Sequence, residues 1–143
     1  MLQYTQEVWC LAINKGRGYV YYIRYHIVFV VKYRHKVIEG PIEAWLKQML
    51  QSLAKAHGFQ IITMETMPDH VHLLLDCSPQ HFIPDLVKGL KGNTARFLFK
   101  EHPELKKKLW GGHFWNPSYF VATVGENTEA AVREYIESQK EEG

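Results

Sequence analysis

His70-Val71-His72 is the tripeptide in this sequence best suited to metal chemistry. In a strand, successive side chains alternate between faces, so the two imidazoles stand on one side and Val71 on the other. Two imidazoles so placed can ligate one divalent ion and leave its other positions open. Two ordinary histidines have the same spacing, and the tripeptide alone does not separate the readings. Asp69 either orients one of these rings or makes a turn, and the turn is the default reading. Tyr135 and Gln139 form a second pair, at i and i+4 and hence on one helix face, flanked by Val132 and Ile136. Taken alone, Tyr135 reads as a half-buried aromatic of an amphipathic helix. A phenol, with a pKa of about 10, attacks poorly at neutral pH unless a base or a metal-polarised phosphate assists it.

The two pairs together describe one chemistry. A metal on two histidines keeps room for a scissile phosphate, and a tyrosine can attack that phosphate. No GxxxxGK[ST] loop is present to cradle a nucleotide, so no nucleotide cofactor is expected. Neither HExxH nor GxSxG occurs. Phosphoryl transfer without a nucleotide fits a transesterification that stores the broken bond as phosphotyrosine.

The net charge of +2 identifies no partner, but its distribution is informative. Lys15, Arg17, Arg24, Lys32, Arg34 and Lys36 follow one another without an acid between them. Lys88, Lys91, Arg96, Lys100, Lys106, Lys107 and Lys108 face only Glu101 and Glu104. Tyr19, Tyr21, Tyr22, Tyr25, Tyr33, Phe97, Phe99 and Trp110 are interleaved with them. Such segments suit a phosphate backbone with unpaired bases nearby, and a solvated face is the plainer alternative. With 46% hydrophobic and 22% charged residues, the 143-residue chain has the profile of a folded protein rather than a disordered one. Its longest apolar run, residues 27–31, is far short of the roughly 20 residues that span a bilayer, and no signal-peptide pattern opens the chain. No membrane association and a cytoplasmic location are expected. Cys10 and Cys77 lack both a disulfide framework and metal-site spacing, and read as reduced thiols.

Periodicity sketches the elements that must position these groups. Residues 21–32 read as a long strand. One face carries Tyr21, Ile23, Tyr25, Ile27, Phe29 and Val31; the other carries Tyr22, Arg24, His26, Val28, Val30 and Lys32. Gly40-Pro41 opens a helix to about residue 57, with Ile42, Trp45, Leu46, Met49, Leu50 and Leu53 on one stripe and Gly58 as its stop. Strands are expected at 59–65 and 70–76, joined by a hairpin at Met67-Pro68-Asp69. A second helix runs from near Pro79 to Phe99, weakened by Gly89 and Gly92, and a short helix falls within 103–109. A fourth strand at 119–124, a break at Gly125 and a last helix at 128–140, capped by Asn127 or Thr128, complete the chain. The order β-α-β-β-α-β-α predicts an α+β fold. It is a ferredoxin-like or RRM-like βαββαβ antiparallel sheet with an added C-terminal helix that carries Tyr135. One domain over 1–143 is expected, with 1–14 an extension of unassigned role.

Pro68-Asp69-His70-Val71-His72-Leu73-Leu74 resembles the His-hydrophobic-His motif of the HUH nucleases. Lys32-Tyr33-Arg34, Leu90-Lys91-Gly92, Leu109-Trp110-Gly111-Gly112 and Trp115-Asn116-Pro117-Ser118-Tyr119 follow the order found in the small single-tyrosine HUH transposases (TnpA) of the insertion-sequence two-hundred type. Glu134-Tyr135-Ile136-Glu137-Ser138-Gln139 resembles their catalytic tyrosine helix, and the resemblance covers about residues 16–140. It implies a homodimer acting on single-stranded DNA with hairpins near transposon ends. The tyrosine would cleave one strand to a 5′-phosphotyrosine and a free 3′-OH, and another strand's 3′-OH would rejoin the ends. A divalent ion, Mg²⁺ or Mn²⁺, would assist. Carried over by position, His70, His72 and Gln139 are metal ligands and Tyr135 is the nucleophile. A neutral His-His-Gln set would bind metal weakly without the DNA phosphate. Arg34, Lys88, Lys91 and Arg96 are the candidate DNA contacts. The βαββαβ core is complete at Val124, so the last helix can lie on its own sheet or a partner's. The resemblance favours a shared site in at least one state. The competing readings are a non-catalytic single-strand nucleic-acid binder that stacks bases on its sheet, and a two-histidine hydrolase of small molecules, which leaves the basic segments unexplained.

Overall fold

Residues Ile23–Val30 are mainly β-branched and aromatic, and they form the strand β3, which has neighbours on both sides in the main sheet. This computed structural model describes residues 14–109, 111–124 and 128–139. Cys10, Trp110, the expected break at Gly125, the Asn127 cap, Lys140 and the extension up to residue 13 lie outside the described residues. The long strand expected from Tyr21 is divided. Asn14–Gly16 (β1) and Tyr19–Tyr21 (β2) form a separate hairpin, turned at Gly18 with φ 83, and only then does β3 begin. At its far end β3 gives way to a 3-10 turn over Lys32–Arg34.

Helix α1 (Gly40–His57) has Pro41 in its first turn and ends at Gly58 in the left-handed region, φ 78, as local chemistry requires. Strands β4 (Gln60–Met67) and β5 (His70–Cys77) are joined by the tight turn Pro68-Asp69. Helix α2 (Ile83–Glu101) starts later than expected. The preceding residues 78–81 are closed into a turn instead, where the Ser78 amide donates to His81 Nδ1 and the His81 amide to the Ser78 carbonyl. The short α3 (Leu105–Lys108), β6 (Phe120–Thr123) and α4 (Thr128–Ser138) follow.

The main sheet has the order β4-β5-β3-β6 with every neighbour antiparallel, the ferredoxin-like arrangement. Alternation gives it two buried faces. Ile27, Phe29, Val31, Val71, Leu73 and Leu75 point into the main core beneath α1 and α2. Val28 and Val30 point the other way and are fully buried in a small cluster with Val132, against which Phe120, Tyr135 and Ile136 pack. That second face is where α4 rests. Cys77 is buried, and burial together with nearby Asp76 pushes its thiol up to about 11, so it is an unreactive thiol. Among the described residues no helix is long and apolar enough to cross a membrane.

Candidate active site

The β3–β5 register sets the histidines. Val30 lies opposite His70 and Val28 opposite His72, so both imidazoles share the face that α4 covers, while Val71 is sealed in the core on the other side. The turn before them is strapped down by the segment after β3. The Val31 amide donates to the Asp69 carbonyl at 2.9 Å, and the Val37 and Ile38 amides donate to the Pro68 carbonyl at 3.1 and 2.9 Å.

Asp69 serves both purposes left open above. It makes the turn, and its Oδ1 accepts a hydrogen bond from His70 Nδ1 at 2.8 Å. Arg34 Nε donates to Oδ2 of the same carboxylate at 3.1 Å. Arg34 and its neighbour Tyr33 adopt φ 55 and 60, a left-handed stretch that non-glycine residues seldom take and that tends to mark functional sites. Burial raises the Asp69 carboxyl, but the hydrogen bonds and charges of His70 and Arg34 outweigh it and hold the group below the ordinary value. A carboxylate can only accept, so His70 carries a hydrogen on Nδ1, and Nε2 is the ring nitrogen left to serve as a ligand.

His72 has a partner that sequence reasoning did not single out. His26 Nδ1 lies 2.8 Å from His72 Nε2, and Glu65 Oε2 lies 3.8 Å from His72 Nδ1. Burial lowers the pKa of both histidines. The neighbouring His72 lowers His26 further, and Glu65 partly opposes the effect on each. Both rings are therefore favoured in the neutral form, which is the form that ligates metals. His26 sits on the Val28 face in the strand alternation; that phase was the available signal, but its meeting with His72 depends on pairing between distant strands.

On α4, Tyr135 stacks at a tilt on Phe120, with ring centroids 5.6 Å apart, and Phe120 lies opposite Val28 in the sheet. The phenol is thus brought to the histidine face. Its Oη is 2.6 Å from Ser118 Oγ. Burial raises the phenol pKa and the Ser118 hydrogen bond partly offsets this. Gln139 Nε2 donates to the Tyr135 carbonyl at 3.1 Å, and its Oε1 accepts from Asn116 Nδ2 and, at 3.5 Å, from Ser118 Oγ.

Asn116 and Ser118 belong to the segment before β6, which is fixed to the body of the protein. Trp115 pairs with Val31 as a β-bridge, and its Nε1 donates to the buried Thr94 Oγ1 at 2.9 Å. The Asn116 amide donates to the Val30 carbonyl at 2.8 Å. Lys91 Nζ donates to the carbonyls of Asn116, Pro117 and Ser118 at 2.6, 3.2 and 3.0 Å.

The four candidate DNA contacts fall in three places. Lys88 and Arg96 are exposed and border a shallow groove on α2 with Gly89, Gly92 and Asn93. Arg96 is steadied by Asn93 Oδ1 at 3.2 Å and lies over the Phe97 ring. Arg34 is joined to the Asp69–His70 pair, and Lys91 to the 116–118 carbonyls.

The donor chemistry suits a weakly bound divalent ion. His70 offers an oriented imidazole, His72 a neutral one that must exchange its bond to His26, and Gln139 an amide oxygen able to accept more than one interaction. Among the described residues no cluster of three or more His, Cys, Asp or Glu side chains is arranged to hold a metal; an amide oxygen as third donor lies outside that class.

Residues 19–139 match the family model described as transposase, IS200 like. Over 135 residues the chain is 54% identical to ISDra2 transposase TnpA of Deinococcus radiodurans, covering 94% of this chain and 96% of that one. The solved structure of a candidate transposase from Deinococcus radiodurans R1 superimposes with a TM-score of 0.85 at 50% identity, over 89% of this chain and 98% of that one. A REP-associated tyrosine transposase bound to a REP hairpin shares the fold, with a TM-score of 0.54 at 10% identity over 88% of this chain and 69% of that one.

Proposed function

The chain belongs to the family of IS200-like transposases, which cleave and transfer DNA strands, and from that premise we propose that it does so on single-stranded, hairpin-bearing transposon ends through a phosphotyrosine at Tyr135. One observation carries the reading: two histidines with orienting partners share a sheet face with the Tyr135 ring of α4.

In the cleavage step the Tyr135 oxygen attacks the scissile phosphorus. The new oxygen–phosphorus bond forms as the bond to the 3′ oxygen breaks. The phenol proton is lost to solvent and the departing oxygen takes one up, leaving a 5′-phosphotyrosine and a 3′-OH. A second 3′-OH reverses these changes on the phosphotyrosine and frees the phenol. One phosphodiester is exchanged for another through an ester of similar kind, so no nucleotide is consumed. His70, His72 and Gln139 would hold a divalent ion, Mg²⁺ or Mn²⁺, which when bound neutralises charge on the phosphate. Asp69 and Arg34 keep His70 in one tautomer and orientation, and the low pKa of His72 keeps it available as a ligand.

Lys88 and Arg96, exposed on one side of α2, would contact phosphates, whereas Arg34, its charge balanced by Asp69, would act through the His70 end of the site. The hairpin carried by the distant neighbour of the same fold supports a structured single strand as substrate. We assign a homodimer as the working form, with the tyrosine helix able to serve either subunit.

The test is a denaturing gel with a labelled single strand that includes a palindrome flanking the gene. The parent protein should form a covalent adduct in Mg²⁺, and Tyr135→Phe should form none while still binding the strand. An adduct in the Phe variant would assign the attack to another residue. Binding without any adduct from the parent would favour the non-catalytic binder.

A further inference from the structure

Ser118 is an exposed serine in a connecting segment, a position where a side chain is ordinarily mobile. Here its backbone is held. Three successive carbonyls, from Asn116, Pro117 and Ser118, converge on one ammonium, that of Lys91. The Asn116 amide is bonded to β3, Trp115 is anchored to α2 through Thr94, and the Pro117 ring removes one backbone rotation. Lys91 is half-buried, and burial lowers its pKa, so its charge is retained against a desolvation cost. The segment so held touches Tyr135 of α4 and Gln139, the residue that follows α4, and meets each at its reactive atom. Ser118 Oγ is bonded to Tyr135 Oη, and Asn116 Nδ2 to Gln139 Oε1.

A serine hydroxyl is far too weak a base to activate a phenol at neutral pH. What it can do is fix the direction in which the phenol oxygen points, and attack on phosphorus in line with the leaving oxygen is sensitive to that direction. We propose that residues 116–118 are the positioning device of the tyrosine helix: Ser118 aims the Tyr135 phenol, Asn116 aims the Gln139 amide, and Lys91 holds the segment that carries both. The inference rests on Tyr135 being the nucleophile. It makes Lys91 a lysine whose charge is used inside the protein rather than on a DNA phosphate.

The experiment measures single-turnover adduct formation by the full-length protein at saturating strand, with binding of the same strand measured separately by anisotropy as a function of salt. Ser118→Ala should slow adduct formation about three- to tenfold, the equivalent of one neutral hydrogen bond, and leave affinity unchanged. Ser118→Thr, which keeps the hydroxyl, should recover the rate. Lys91→Met should slow adduct formation more, with the salt slope of binding unaltered. A true phosphate contact would instead flatten that slope by about 0.7. A rate equal to or above the parent in Ser118→Ala would overturn the proposal, since the segment would then only park the helix. So would a slowed Ser118→Ala that Thr fails to rescue, or a flattened slope in Lys91→Met. The premise is tested apart from these by Tyr135→Phe: an adduct there sinks the nucleophile assignment, whereas its absence beside an unimpaired Ser118→Ala sinks only the positioning role. Ser118 is exposed, so its variants keep the question answerable even if Lys91→Met is unstable.

Discussion

The histidine face is built from side chains that constrain one another in pairs: Arg34 with Asp69, Asp69 with His70, His26 with His72. This chemistry gives three predictions. Asp69→Asn keeps an acceptor for His70 but removes the charge that balances Arg34. It should raise the Mg²⁺ concentration needed for half-maximal cleavage by roughly 10–100-fold, the usual effect of losing a partner of a metal-bound histidine. His70→Ala, His72→Ala or excess EDTA should abolish cleavage; full activity in EDTA would remove the metal from the mechanism. The third concerns acid. His26 and His72 have folded pKa values below the ordinary histidine value, first because of burial. Below about pH 6.5 the unfolded chain therefore binds protons that the folded chain resists, and stability falls as pH drops through that range. Denaturant midpoints at about pH 7.5 and 5.5 should show the loss, and His26→Asn, with one fewer such group, should show a smaller one. Equal losses in the parent and His26→Asn would mean that the pair does not couple folding to pH.

At the scale of elements, α4 is unlike the rest of the fold. The main core joins α1, α2 and the sheet through a large continuous cluster, whereas the apolar contact described for α4 is a small one, Val132, Tyr135 and Ile136 on Val28, Val30 and Phe120, beside the Tyr135 bond to Ser118. A contact of that size places α4 among the segments that open locally without global unfolding. Amide exchange should show residues 131–138 far less protected than β3 and β5. Val132→Ala, which removes two buried carbons at about 0.8 kcal/mol each, should speed exchange in α4 roughly tenfold and leave the core strands unchanged. Protection in α4 equal to that of β3 would show instead that the helix is an integral layer of the fold. A separable helix is what a transposase needs if its tyrosine is to meet different strands.

For the whole molecule, separability raises the question of whose tyrosine serves whose histidines. In this structure α4 lies on its own sheet. The dock it uses, the 116–118 segment and the Val28–Val30 face, would equally receive the helix of a second copy. Mixing Tyr135→Phe with His70→Ala, each inactive alone, should restore cleavage once subunits exchange, because a mixed dimer then contains one intact shared site. Proven exchange without recovery would restrict cleavage to sites made within one chain. The charge distribution gives a second test at this scale. Neutralising Lys88 or Arg96 should flatten the salt slope of strand binding by about 0.7 each, while Arg34, joined to Asp69, should affect cleavage more than the slope. Unaltered slopes for both α2 variants would place the DNA on another surface.

What the sequence by itself determined were features with local physical causes. Pro41 and Gly58 bound α1 because one fits a helical first turn and the other accepts a left-handed φ. Strand alternation puts His70 and His72 on one face whatever they pack against, while the helix expected to 140 ends at Ser138 and Gln139 meets the Tyr135 carbonyl from just beyond it. The motif order was enough to identify the family. Tertiary structure decided the rest. The division of the first long strand into a hairpin and β3, and the late start of α2, turn on hydrogen bonds, the latter partly to the His81 side chain, that propensity does not encode. His26 meets His72 across 46 residues, and Lys91 meets the Ser118 carbonyl across 27. Such contacts depend on strand register and on where a connecting segment returns to the core. Both are set by the joint burial of apolar side chains far apart in the chain, and no local pattern of residue types carries that information.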